Sequence, residues 1–149
     1  MSCLQKVERG LIMNMDTKLP TMTKFFLFLG SVNMFLVVIL GAFGAHGLKE
    51  RLSPEMMAIY QTGIQYHFYH AIGLLMLGIL SFFLQISSLI QWSGLLMLAG
   101  IVLFPGSLYL LSITGLRWLG AITPVGGTAF VAAWFLLAMV SLKAVKSRA

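Results

Sequence analysis

Residues 40–75 read LGAFGAHGLKERLSPEMMAIYQTGIQYHFYHAIGLL. The stretch closes one apolar run, turns through Lys49, Glu50 and Arg51, and opens a second run with Ser53-Pro54-Glu55. A serine N-cap, a proline at the first helical position and an acid in the first turn mark a helix start. The helix so begun continues to about Leu84, about 30 residues or about 45 Å at 1.5 Å each, longer than a hydrocarbon core of roughly 30 Å. Its first turns are therefore expected outside the bilayer or along its surface. All three histidines lie in this stretch, as do three of the four tyrosines and two of the four acids.

Outward from it the chain is nearly free of charge. Between Glu55 and Lys143 the only formal charge is Arg117. The 149 residues are 59% hydrophobic and 9% charged, where a soluble domain carries about a quarter charged residues, and mean hydropathy is +0.94. Such a segment must be solvated by lipid, and only helices or closed barrels satisfy its backbone there. The apolar runs are continuous rather than alternating, which selects helices. The net charge of +6 comes from basic residues at the chain ends and in short loops, without a stripe or aromatic platform, so nucleic acid is excluded as a partner. The lone Cys3 permits no internal disulfide and no cysteine metal cluster.

The spacing predicts an all-α, polytopic membrane protein, an antiparallel four-helix transmembrane bundle with spans at about 25–45, 59–84, 93–111 and 123–142. Residues 1–24 read as a disordered cytoplasmic tail and 143–149 as a basic one; Met22-Thr-Lys-Phe-Phe would itself suit a chain start. The first apolar run, about 21 residues from Phe25 to Ala45, exceeds the 7–15 of a signal-peptide core, which favours a span over a leader. Gly30, Asn33, Gly41 and Gly44 share one of its faces, where small residues let helix backbones approach. Gly44 to Leu52 is expected as an outer turn and Gln85 to Gln91 as a short connection. Pro105-Gly106 is expected to bend the third span, whose packing face carries Gly100 and Ser107. Thr123-Pro124 repeats the helix-start device, and Thr123, Gly127, Phe130, Trp134 and Ser141 form the expected packing face of the fourth. Seven basic residues flank the N-terminal end of the first span and the C-terminal end of the last, against three in the opposite loops, which favours both termini in the cytoplasm.

One constellation carries chemistry. On a helix indexed from Ile59, Gly63, Tyr66, His67, His70 and Gly73 project to one side, adjoined by Thr62, Gln65 and Tyr69. Ile64, Phe68, Ala71 and Leu75 occupy the other side and read as lipid-facing. Polar groups inside a membrane mark either a site or a buried hydrogen-bond network, so His46, Gln65, Tyr66, His67 and His70 form the candidate intramembrane site. In one reading the neutral side chains hold the bundle in register. In a second they line a polar cavity or proton relay, since a histidine ordinarily titrates near pH 6.5. A third, metal or haem ligation by His67 and His70 at i, i+3, lacks a carboxylate or cysteine within the spans to complete the ligand set; no metal and no cofactor are assigned. No nucleophile with its base, no phosphate loop and no paired carboxylates are present, so no catalytic residue is assigned and the protein is read as non-enzymatic. The expected partners are the lipid bilayer and a second copy or another membrane protein.

Four motifs in order, GAFGAHGL, QTGIQYHFYHA, GSLYLL and TPVGG, resemble the small bacterial inner-membrane protein family called domain-of-unknown-function 423. The resemblance runs from about Lys24 to Lys143. It implies four spanning helices in the bacterial inner (plasma) membrane and carries no activity over. Pro105 departs from the small residue expected just before Gly-Ser-Leu-Tyr, and the segment before Met22 is an addition.

Overall fold

The computed structural model describes residues 19–84 and 88–146. Four long helices form it: α1 (Thr21–Phe43), α2 (Pro54–Phe83), α3 (Ser88–Thr114) and α4 (Thr123–Lys146). Each is long and apolar enough to cross a membrane. The tail expectations for residues 1–18 and 147–149 and for the 85–87 connection lie outside the described residues.

The helices begin and end where local chemistry allows. Pro20, with φ −54° and ψ 146°, precedes α1, so Thr21–Lys24 belong to the helix rather than to the tail. Packing draws this turn in: Thr23 is buried and its hydroxyl lies 2.9 Å from Ser81 on α2. Ser53 caps α2, its hydroxyl accepting from Met56 N–H at 3.3 Å, with Pro54 and Glu55 in the first turn. α3 ends at Gly115, whose φ of +73° suits the left-handed residue that closes a helix, and whose N–H bonds Leu111 O at 2.8 Å.

Other boundaries also differ from the sequence expectation, and α4 runs on through Lys146, so residues 143–146 belong to the helix rather than to the tail. The outer turn expected over Gly44 to Leu52 opens as a π-helical turn, Gly44–Leu48, continuous with α1, and the chain turns only at residues 49–52. The π-helical turn packs closely on α2: a Cβ at Gly44 would lie 2.5 Å from Tyr60 Cε1, and the Tyr60 hydroxyl donates to Leu40 O at 2.8 Å. α3 extends past 93–111 at both ends and runs unbroken across buried Pro105. The last connection contains a 3-10 turn, Arg117–Ala121.

α1 packs on α2, α2 on α3 and α3 on α4, while α1 and α4 share at most slight contact. Burial follows that order. In the most apolar stretch, 44% of residues are buried in α2 and in α3, against 17% in α1 and 28% in α4. α2 and α3 are thus the inner pair, and α1 and α4 present apolar faces outward. The core joins Phe26, Leu74, Leu77, Ile90, Met97 and Phe130. Two assignments of face are corrected. Ala71 is fully buried rather than lipid-facing, and Leu75, expected on the same face, lies against Gly30 of α1. On α4 the seam is Gly126, Phe130, Ala133, Leu137 and Val140, leaving Ser141 exposed and Trp134 half-exposed with its ring edge against Gly73 of α2. The seam is set by closeness of approach: a Cβ at Gly126 would collide with the Phe104 backbone, whereas one at Gly127 would make ordinary contact with the Phe104 ring at 3.6 Å.

Candidate functional site

His67 lies near the middle of α2, buried between α1 and α3. Its Nε2 is 3.0 Å from Asn33 Oδ1 on α1, and its Nδ1 is 3.2 Å from the Tyr109 hydroxyl on α3. The partners set the tautomer. Asn33 Nδ2 donates to Leu29 O at 2.8 Å, so its Oδ1 is the acceptor and His67 Nε2 carries the hydrogen. Nδ1 then accepts from Tyr109 O–H. The result is a directed chain, Tyr109 to His67 to Asn33 to the Leu29 carbonyl, in which a neutral imidazole uses both nitrogens.

The surrounding backbone makes room for it. A Cβ at Gly63, one turn before His67, would sit 2.8 Å from Tyr109 Cε1, so glycine there lets the tyrosine ring lie against α2. Tyr60 extends the cluster, its ring 5.1 Å from that of Tyr109. Three helices thus meet at one imidazole.

His70, one turn on, is equally buried but differently held. Its Nδ1 donates to Tyr66 O on its own helix at 2.7 Å. Its ring stacks on Phe130 of α4, with centroids 3.3 Å apart and planes 11° from parallel. His70 therefore joins α2 to α4 by a ring face, and His67 joins α1 to α3 by hydrogen bonds.

Of the other candidate residues, Tyr66 borders this cluster through its bond to His70 and a ring 6.2 Å from that of His70, and the rest stand apart from it. Tyr66 is partly exposed and packs on Phe104, 4.6 Å between ring centres. Gln65 is exposed and donates to Tyr69 OH at 3.0 Å. His46 sits exposed in the π-helical turn. Among the described residues no group of three or more His, Cys, Asp or Glu comes together as metal ligands. The remaining packing candidates divide. Gly30 meets Leu75, Gly44 meets Tyr60, Gly73 meets Met97 and Trp134, Gly100 meets Phe130, and Gly127 touches Phe104. Ser107 lies 2.9 Å from Thr123 Oγ1 across the α3–α4 seam. Gly41 has nothing within 4 Å of where a Cβ would lie.

Sequence reasoning missed Tyr109, although it is the one tyrosine outside the opening stretch and stands in GSLYLL. It also missed the close approaches at Gly78 to Leu27, Gly94 to Phe26 and Gly126 to Phe104. A tyrosine hydroxyl placed one helix away from a histidine is a signal only once the register of the two helices is known.

The family model described as "Protein of unknown function (DUF423)" matches residues 40–127. The UPF0382 membrane protein YwdK of Bacillus subtilis (strain 168) is 47% identical over 120 residues, which cover 80% of this chain and 98% of that protein. A UPF0382 membrane protein of Staphylococcus epidermidis is 45% identical over 120 residues, covering 80% and 97%. One of Staphylococcus saprophyticus is 42% identical over 120 residues, covering 80% and 98%. No solved structure matches the chain.

Proposed function

This chain belongs to the DUF423 family of membrane proteins, and from that premise we propose that it is a non-enzymatic component of the bacterial inner (plasma) membrane. It acts through helix packing and contact with membrane partners, and its buried polar groups brace the bundle. The observation that carries this reading is the closed chain at His67. Each polar atom in it has a partner, and it ends on Leu29 O, a carbonyl already inside α1. A proton relay needs a path that continues toward water on both sides, and a helical carbonyl offers no exchangeable proton. An open groove between α1 and α2 is lined by Val37, Gln61, Gln65 and Tyr69 among others and by neither His67 nor His70.

Orientation follows from charge. Lys24 near the start of α1 and Lys143 near the end of α4 adjoin, in sequence, the other basic residues of the two chain ends, whereas Lys49, Arg51 and Arg117 stand in the connections between helices; with four spans, that excess supports both termini in the cytoplasm.

The test is thermal unfolding of the purified protein in detergent. Interhelical hydrogen bonds in membranes contribute about 0.6 kcal/mol on average and up to about 1.7. His67→Ala removes two of them and opens a cavity, so a clear drop in Tm is expected. An unchanged Tm, or loss of a membrane-potential readout in vesicles without loss of stability, overturns the bracing role.

A further inference from the structure

The exposed side of α2 carries polar residues at a depth where lipid would be their neighbour. Gln61, Thr62, Gln65 and Tyr69 are all exposed and border the groove that Val37 and Val38 of α1 complete. Their depth is set by the packing of the two helices. Gly30 lies against Leu75 at one level and Gly44 against Tyr60 at another, which brackets residues 61–69 of α2 beside 35–43 of α1. Over that stretch α1 exposes Phe35, Val38, Ile39 and Phe43, side chains that belong in hydrocarbon. The stripe therefore runs beside an exposed apolar face of α1.

Its hydrogen-bonding capacity is only partly used. Thr62 Oγ1 donates to Ala58 O at 2.9 Å and is satisfied on its own helix. Gln65 Nε2 donates to Tyr69 OH at 3.0 Å, which leaves Gln65 Oε1 and the Tyr69 hydroxyl hydrogen without partners among the described residues. The Gln61 amide reaches only Met57 Sδ, at 3.9 Å. Polar groups left facing lipid are costly, and glutamines there promote association between helices.

We propose that this stripe is the contact between two copies of the chain, paired about a two-fold axis along the membrane normal. The inference rests on the reading of the protein as one that works through packing and partner contact in the bilayer. Copies inserted in one orientation can be related by a two-fold only about that axis, so each residue on it meets its own equivalent at the same depth. A self-facing surface of this kind needs side chains that both donate and accept. Glutamine amides and a tyrosine hydroxyl do so, whereas a row of like charges would repel. An anionic lipid headgroup would instead call for cations, and no lysine or arginine lines the groove. Small Ala58 and Thr62 on the same face let the two α2 helices come close.

The experiment is site-directed cross-linking in native membranes, with Cys3→Ser removing the only native thiol. Ala58→Cys places a thiol beside the stripe and leaves both glutamines intact; Val131→Cys, on the exposed face of α4, is the control. Oxidation is expected to give a disulfide dimer at position 58 and not at 131. Adding Gln61→Leu and Gln65→Leu to Ala58→Cys is expected to weaken association by on the order of tenfold, for two amides per copy. Monomer Tm in detergent should be unchanged by these replacements, which separates lost pairing from lost folding. No dimer at 58, equal dimer at 131, or a dimer indifferent to both glutamines overturns the proposal. Failure here leaves the His67 brace untouched, because that reading is judged by the Tm of the monomer.

Discussion

α2 presents polar side chains on two faces. On one, His67 and His70 are buried against three other helices, and His67 spends both ring nitrogens on cross-helix bonds. On the other, Gln61, Gln65 and Tyr69 point away from the bundle with bonds that stay on their own helix. The residue types are similarly polar and the helix is the same. What differs is whether a neighbouring helix stands within reach of a donor or acceptor. Inside the bundle a polar group specifies register; outside it, the same kind of group is a request for a neighbour.

The sharpest way to break the inner face is to fill the space on which it depends. Gly63→Val would drive a branched side chain into the Tyr109 ring, 2.8 Å from the Cβ position. Overpacking of this kind costs typically 1–3 kcal/mol, and loss of the Tyr109–His67 bond adds to it, so about 3 kcal/mol is expected in chemical or thermal unfolding. A Gly63→Val protein as stable as the parent would mean that the α2–α3 approach is not tight.

His67→Ala comes next, at about 2 kcal/mol from two lost bonds and a cavity. Tyr109→Phe isolates one link of the chain: the ring stays against Gly63 and only the hydroxyl goes. About 1 kcal/mol is expected, and a double-mutant cycle of His67→Ala with Tyr109→Phe should show coupling, since both remove the same bond. Strict additivity in that cycle would deny the contact. At the small end, Gln65→Leu on the exposed face should change monomer stability by no more than about 0.5 kcal/mol. A large loss there would show that the outer face also serves the monomer, and the contrast between the two faces would fail.

Much of the fold was legible because the bilayer simplifies the code. One charge between Glu55 and Lys143 and four long apolar runs leave no alternative to spanning helices. The Ser53-Pro54-Glu55 start was legible as well, since a cap and its proline act within one turn. Boundaries were less so. Gly44–Leu48 carries turn-forming glycines, but contact with Tyr60 keeps it wound. The α4 face was misjudged by one position, Gly127 for Gly126, because one residue rotates a helix by 100° and only the partner backbone says which glycine is pressed. Of the candidate site residues, helical periodicity placed His67 and His70 on a common arc, and both are buried. Gln65 adjoins that arc on the wheel yet lies outside the bundle.

The sequence by itself determined the solvent, the number of helices and where α2 begins, since all three depend on composition and on contacts within a turn or two. Only the tertiary structure decided which polar side chains are partnered. Hydrogen bonds between His67, Asn33 and Tyr109 join residues separated by 34 and 42 positions, and the register that brings them within 3.2 Å is set by how closely Gly30 and Gly63 let their neighbours approach.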